Sequence, residues 1–141
     1  MKYHITLDPI GIIHSPFPST AQAPRQGRFT DETSTLEIFD AYAAGLKTIE
    51  RASHLIVLYW LDKADRDRLQ TYTPHGTELR GVFACRSPSR PNPIGFAVVT
   101  LIKREGRTLL VQGLDAVDKT PILDIKPYSA DIDAFPGASL R

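Results

Sequence analysis

The sequence predicts a mostly β fold, a small antiparallel β-barrel with one packed α-helix and short helical turns. Three observations lead there. Six or seven segments read as strands against one convincing helical segment. The runs Gly95 to Lys103 and Arg107 to Leu114, joined by Glu105-Gly106, form a clear β-hairpin. His54-Leu-Ile-Val-Leu-Tyr-Trp-Leu61 is nearly all apolar, rich in β-branched and aromatic residues, and suits a central strand.

The elements follow in order. Ile10 to Phe17 reads as a short strand stopped by Pro16, and Pro18 to Thr33 as a loop carrying Pro24-Arg25-Gln26-Gly27. Thr35 to Phe39 alternates polar and apolar residues as a half-buried strand does. Asp40 can cap a helix running to about Arg51, with Tyr42, Leu46 and Ile49 on its buried face. After the central strand, Asp62 to Arg80 is charged and polar. It predicts a rim or lid loop with a Pro74-His75-Gly76 turn and at most one helical turn near Ala64 to Leu69. Gly81 to Leu101 places a proline-stiffened polar segment between two strand-like runs. Pro121 to Tyr128 forms a last strand, and the tail beyond it reads as irregular.

A chain of 141 residues fits one domain, residues 1–141, with no C-terminal domain expected. Hydrophobic residues make up 42% and charged residues 23%, and no apolar run reaches the roughly 18 residues of a membrane span. The N-terminus lacks a signal-peptide pattern and a single cysteine cannot form an internal disulfide, so a cytoplasmic address is expected. Seventeen basic against sixteen acidic residues exclude the bulk positive field of many autonomous nucleic-acid binders. Arg80, Arg86, Arg90, Lys103, Arg104 and Arg107 make the middle its most basic part; a solvated face is the simplest reading of them.

Pro88, Pro91 and Pro93 fix φ and hold the residues before them extended, so the segment between the strands is stiff. Arg86 and Arg90 offer guanidinium forks, Asn92 an amide that donates and accepts, and Gly95 a site of close approach. That combination predicts a pre-organised polar site. His4, His14, His54 and His75 lack metal-ligand spacing and Cys85 has no C-x-x-C partner, so no metal is expected. Cys85 reads as a small buried hydrophobe and no G-x-S-x-G elbow is present. Asp115, Asp118, Asp124 and Asp131 flank the last strand, where carboxylates can hold hydroxyl or amino groups or serve as turn residues.

Pro24-Arg-Gln26, His54 to Trp60, Gly81 to Pro88 with Arg90-Pro-Asn-Pro-Ile-Gly95, and Thr120 to Tyr128 together resemble the TsaA-like (YaeB-like, TrmO) family, over about Ile10 to Asp131. The resemblance implies a β-barrel homodimer that binds S-adenosyl-L-methionine and methylates N6 of N6-threonylcarbamoyladenosine beside the anticodon of tRNA. By motif position, the cofactor contacts would be Pro24, Arg25, Gln26, Asp62, Lys63, Arg86, Asn92, Phe96 and the turn Asp115, Ala116, Val117, Asp118. Tyr128, Asp124 and Lys126 would line the same region as catalytic candidates, with Tyr128 or a nearby carboxylate aiding proton removal.

Three departures stand out. Asp62 replaces a histidine common among relatives, Lys119 replaces a turn glycine, and the Asp62 to Arg80 loop is shorter than in longer members, which also carry a C-terminal domain. The resemblance leaves open methylation of a small molecule or another RNA, and a non-catalytic S-adenosyl-L-methionine sensor.

Overall fold

A computed structural model of the chain describes residues 3–73 and 76–140. Six strands close an antiparallel barrel: β1 (Gly11–His14), β2 (Thr33–Ile38), β3 (His54–Trp60), β6 (Ile94–Glu105), β7 (Thr108–Gln112) and β8 (Pro121–Pro127). Their order around the barrel is β1-β2-β7-β6-β3-β8. Closure leaves no unpaired sheet edge in the barrel. Six of the six or seven strands expected from the sequence are present, with ends shifted by a few residues.

Period-two patterning fills the barrel. Leu55, Val57 and Tyr59 on β3 face inward with Ala97 and Val99 on β6 and Leu109 and Val111 on β7. Small residues on β6 make room for the one large aromatic: a Cβ on Gly95 would lie 2.1 Å from a Tyr59 ring carbon. Between β3 and β8 the register shifts, because Leu58 pairs with Asp124 while Tyr59 pairs with Ile122. Leu123 is the extra residue of this β-bulge.

Two expectations need correction. Asp40 to Arg51 is not an α-helix but two 3-10 segments, Asp40–Leu46 and Ile49–Arg51. Gly45 weakens the intervening turn and Thr48 adopts a left-handed φ of 67°, which interrupts helical winding. Leu46 is buried and Ile49 packs on the core, but Tyr42 is 40% exposed. The four-residue α-helix instead lies in the tail, at Ala130–Asp133 (α1), where the Asp133 carboxylate accepts the Ser129 N–H at 2.9 Å.

The Asp62 to Arg80 segment holds more order than a loop. A short hairpin pairs β4 (Gln70–Tyr72) with β5 (Leu79–Gly81), and Val82–Ala84 forms a 3-10 turn where a strand run was expected. Pro74 and His75 of the expected turn lie outside the described residues. Among the described residues no helix is long and apolar enough to cross a membrane.

Candidate functional site

Antiparallel closure brings the ends of β1, β3 and β7 and the starts of β2, β6 and β8 to one mouth of the barrel. The connections there carry Pro24 to Gln26, Asp62, Lys63, Arg86, Asn92 and Asp115 to Asp118. The topology thus gathers sequence motifs nearly a hundred residues apart.

The centre of this mouth is a buried polar contact. The Tyr59 hydroxyl, in an otherwise apolar interior, donates to Asp115 Oδ1, and the backbone N–H groups of Asp115 and Gly27 also donate to that carboxylate. Gly27 is buried, and a Cβ there would come within 2.0 Å of the Gly113 carbonyl oxygen. Only glycine lets this segment sit so close. Burial raises the Asp115 pKa above its ordinary value, against the lowering effect of its three donors. Burial, then the adjacent Asp115 charge, pushes the Tyr59 phenol far above its ordinary value.

The turn leading into β8 is fastened to β1. The Ser15 N–H donates to Asp118 Oδ1 at 3.0 Å, the Ser15 hydroxyl to the Ala116 carbonyl at 2.7 Å, and the Asp118 N–H to the Phe17 carbonyl at 2.8 Å. The Ala116 side chain is in the core, which leaves only its backbone for a ligand. Lys119 keeps the left-handed geometry of a turn glycine, φ 72°, at a cost of about 1 kcal/mol for a non-glycine residue. Its N–H bonds the Ile13 carbonyl at 2.7 Å and its Nζ meets His14 Nδ1 at 3.1 Å, contacts that offset the strain.

On the rim, Arg66 ties two loops together. Its Nε donates to the Pro91 carbonyl at 2.8 Å, its Nη2 reaches Asn92 Oδ1 at 3.4 Å, and its guanidinium lies 5.3 Å from the Trp60 ring centroid. Among the described residues, no hydrogen bond takes up the Asn92 amide N–H groups. Arg86 stands over the Phe96 ring at 6.0 Å. Arg90, expected as a binding fork, turns inward and donates to the Cys85 and Ser87 carbonyls at 3.1 and 3.0 Å. It shapes the proline-rich segment. The basic middle of the sequence does not form one patch either: Lys103, Arg104 and Arg107 lie at the opposite end of the barrel, where Arg104 meets Glu50 and Lys103 meets Glu105.

Asp124, Lys126 and Tyr128 sit apart from the mouth. Asp124 and Lys126 form a 2.9 Å ion pair on the outer surface of β8, beside Leu58 and Ile56 of β3. Register puts Asp124 two strands from Phe96, about 10 Å away. The Tyr128 N–H bonds the His54 carbonyl, and its ring meets His54 edge-on at 6.4 Å. His54 starts β3, so Tyr128 lies about 13 Å along the strand from the Leu58–Phe96 row. A cleft of about 390 Å³ lies elsewhere, under the 3-10 segments; its wall includes Tyr42, Ile49 and Asp124.

Between the mouth and Tyr128 runs an apolar outer face. Trp60 pairs with Ile94, Leu58 with Phe96, and Ile56 with Val98. Ile94, Phe96 and Val98 are 42%, 46% and 36% exposed, a contiguous apolar strip of the kind that marks an interaction surface. Sequence reasoning missed Tyr59, Gly27 and Arg66 as site residues. A tyrosine at an inward position of a central strand was the available signal, since a buried phenol hydroxyl needs a partner.

Comparison with known proteins agrees with this architecture. The family model of the tRNA-methyltransferase O N-terminal domain matches residues 12–134. An S-adenosyl-L-methionine-binding protein of Archaeoglobus fulgidus is 56% identical over 127 residues, 90% of this chain and 91% of its own length. A second, longer protein of that organism is 55% identical over 136 residues, 96% of this chain, and the match spans 37% of its length. The mouse tRNA (adenine(37)-N6)-methyltransferase is 34% identical over 140 residues, covering 93% of this chain and 32% of the enzyme. The crystal structure of TrmO from Pseudomonas aeruginosa superposes with a TM-score of 0.83 at 33% identity, over 98% of this chain and 62% of that one. With the family model matched from β1 into the tail helix and the barrel shared with a solved member, the chain belongs to the tRNA-methyltransferase O N-terminal domain family.

Proposed function

We propose that this chain is an S-adenosyl-L-methionine-dependent methyltransferase that works as a homodimer on tRNA. Its target is N6 of the N6-threonylcarbamoyladenosine beside the anticodon, and its place is the cytoplasm with that substrate. The observation that carries the reading is that the barrel mouth of a family member gathers carboxylates and guanidinium groups and borders an exposed aromatic ring on the outer face of β6, a set suited to an adenosine bearing an amino-acid tail.

The residues fit that cofactor. The Phe96 ring is 46% exposed beside Arg86 and offers a face for adenine. A carboxylate has about four acceptor sites, so beside the Tyr59 hydroxyl Asp115 has capacity for a ribose hydroxyl or ammonium group. Asp62 and Lys63, both exposed at the mouth, supply one charge of each sign, and Asn92 supplies amide donors. Pro24, Arg25 and Gln26 border the same opening, next to Gly27, and Val117 and Asp118 close it from the β8 side. When bound, S-adenosyl-L-methionine supplies an electrophilic methyl group on a sulfonium.

The chain's own part is to position groups and exclude water. Tyr128, Asp124 and Lys126 take or steer the proton leaving the target nitrogen. Their distance from the mouth within one chain supports a site shared by two copies, in which the apolar strip of Ile94, Phe96 and Val98 is covered by a partner and brings the β8 residues to it. The mouse relative's activity on adenine 37 of tRNA supports the substrate class.

The test is to incubate the protein with methyl-labelled S-adenosyl-L-methionine and tRNA bearing unmethylated N6-threonylcarbamoyladenosine, then identify labelled nucleosides by mass spectrometry. We expect label on that nucleoside. Cofactor binding with no label on any tRNA nucleoside would contradict the enzyme reading and favour a binding module, the role in the name of the Archaeoglobus relative of similar length.

A further inference from the structure

We propose that Tyr59 is a positioning residue whose buried hydroxyl, held on the Asp115 carboxylate, latches the Pro24 to Gln26 segment to the barrel mouth through the Gly27 N–H. Four independent features of the fold converge on this contact. Tyr59 is 3% exposed and rests against Gly95, where any side chain would strike its ring. Its hydroxyl meets Asp115 Oδ1 across 56 residues of sequence, joining the central strand to the turn between β7 and β8. Asp115 in turn lies against Gly27: a Cβ on Gly27 would stand 3.1 Å from the Asp115 backbone nitrogen, and this proximity turns the Gly27 N–H, the first donor after Gln26, toward the Asp115 carboxylate. Gly27 lies against Gly113 and the Asp115 backbone so closely that a Cβ has no room.

The phenol therefore acts through Asp115 rather than on a ligand itself. It fixes one carboxylate oxygen, the carboxylate fixes Gly27, and Gly27 sets where the preceding three residues present their groups. Without the hydroxyl, Asp115 keeps fewer donors in a half-buried place and can rotate away from Gly27. A half-buried carboxylate left short of donors is costly, so the segment and the turn are expected to loosen together. The consequence for ligand affinity rests on the cofactor reading given above, whereas the latch itself does not.

Tyr59→Phe keeps the ring on Gly95 and removes only the hydroxyl. Two quantities are read on the full chain: S-adenosyl-L-methionine affinity by isothermal titration calorimetry, and hydrogen exchange of the Gly27 amide by NMR. We expect affinity to fall about tenfold and the Gly27 amide to exchange about tenfold faster. The Val57 and Val99 amides should exchange as in the unaltered protein, which shows that the barrel is intact. Asp115→Asn keeps a carbonyl oxygen that accepts from both donors and should retain most of the Gly27 protection, while Asp115→Ala should lose it.

Unchanged Gly27 exchange in Tyr59→Phe overturns the latch. Faster exchange with unchanged affinity overturns the positioning role. Failure of the unaltered protein to bind S-adenosyl-L-methionine would sink the methyltransferase reading, and the exchange rates would still decide the latch.

Discussion

The barrel mouth and the outer face of β3 and β6 are built from neighbouring residues of the same strands, yet they differ in how complete they are. At the mouth, Tyr59 and Asp115 satisfy each other, Ser15 fastens Asp118, and Arg66 spans two loops. On the outer face, one residue along from Tyr59, Leu58 and Trp60 stand beside half-exposed Phe96 and Ile94, with the Arg66 and Arg86 guanidinium groups over the Trp60 and Phe96 rings and Ile94 and Val98 left partly open. Alternation along a strand makes both from one sequence: inward positions complete the fold, and outward positions leave apolar surface in contact with water. In the proposed dimer, a site that uses both draws on two chains.

Substitutions on the two sides should therefore part company. Leu55→Ala, at a fully buried inward position, should lower unfolding free energy by about 3 kcal/mol in a denaturant titration. Val98→Asp, outward on β6, should leave unfolding nearly unchanged and weaken self-association by about a hundredfold in analytical ultracentrifugation, since an unpaired charge would enter an apolar interface. A concentration-independent monomer in the unaltered protein would break the comparison outright.

The buried pair makes the mouth sensitive to pH in a defined direction. With its folded-state pKa raised above 10.0, the Tyr59 phenol contributes stability that is present below pH 10.0 and lost as pH rises beyond it. Asp115, also raised, contributes stability that is present below about pH 3.8 and lost as pH climbs toward its folded value. Tyr59→Phe should flatten the alkaline slope and Asp115→Asn the acidic one, both readable from thermal melts across pH. The smallest stability effect is expected on β8: Lys126→Met should change it by no more than about 0.5 kcal/mol, because its ion pair with Asp124 is exposed, while methyl transfer falls.

The strands were legible because alternation and apolar runs report directly on which face is buried. His54 to Trp60 and the Gly95 to Leu114 hairpin show it best. The Asp40 to Arg51 segment misled because Tyr42, Leu46 and Ile49 have helical spacing, whereas Gly45 and the left-handed Thr48 break the winding after one short stretch. The β4–β5 hairpin escaped notice because its residues are polar and exposed, so no buried face imposes a pattern. The motif positions gather at one barrel mouth, but the Tyr59–Asp115 contact there was not read from the sequence. Tyr59 and Asp115 are far apart in sequence, and only barrel closure brings a phenol and a carboxylate together. Likewise Arg90 looked like a ligand fork, and the carbonyls that occupy it belong to a turn that sequence does not display.

Mixing two inactive variants tests the shared site most directly. Arg86→Ala disables the mouth and Tyr128→Phe the β8 surface; each alone should transfer little methyl to tRNA. After unfolding and refolding together, about half of the dimers carry one chain of each kind and one intact site, so about a quarter of the unaltered activity should return. Recovery at that level is what a site shared between two chains predicts. No recovery, with dimers formed and both variants folded, would contradict it and place the whole site within one chain.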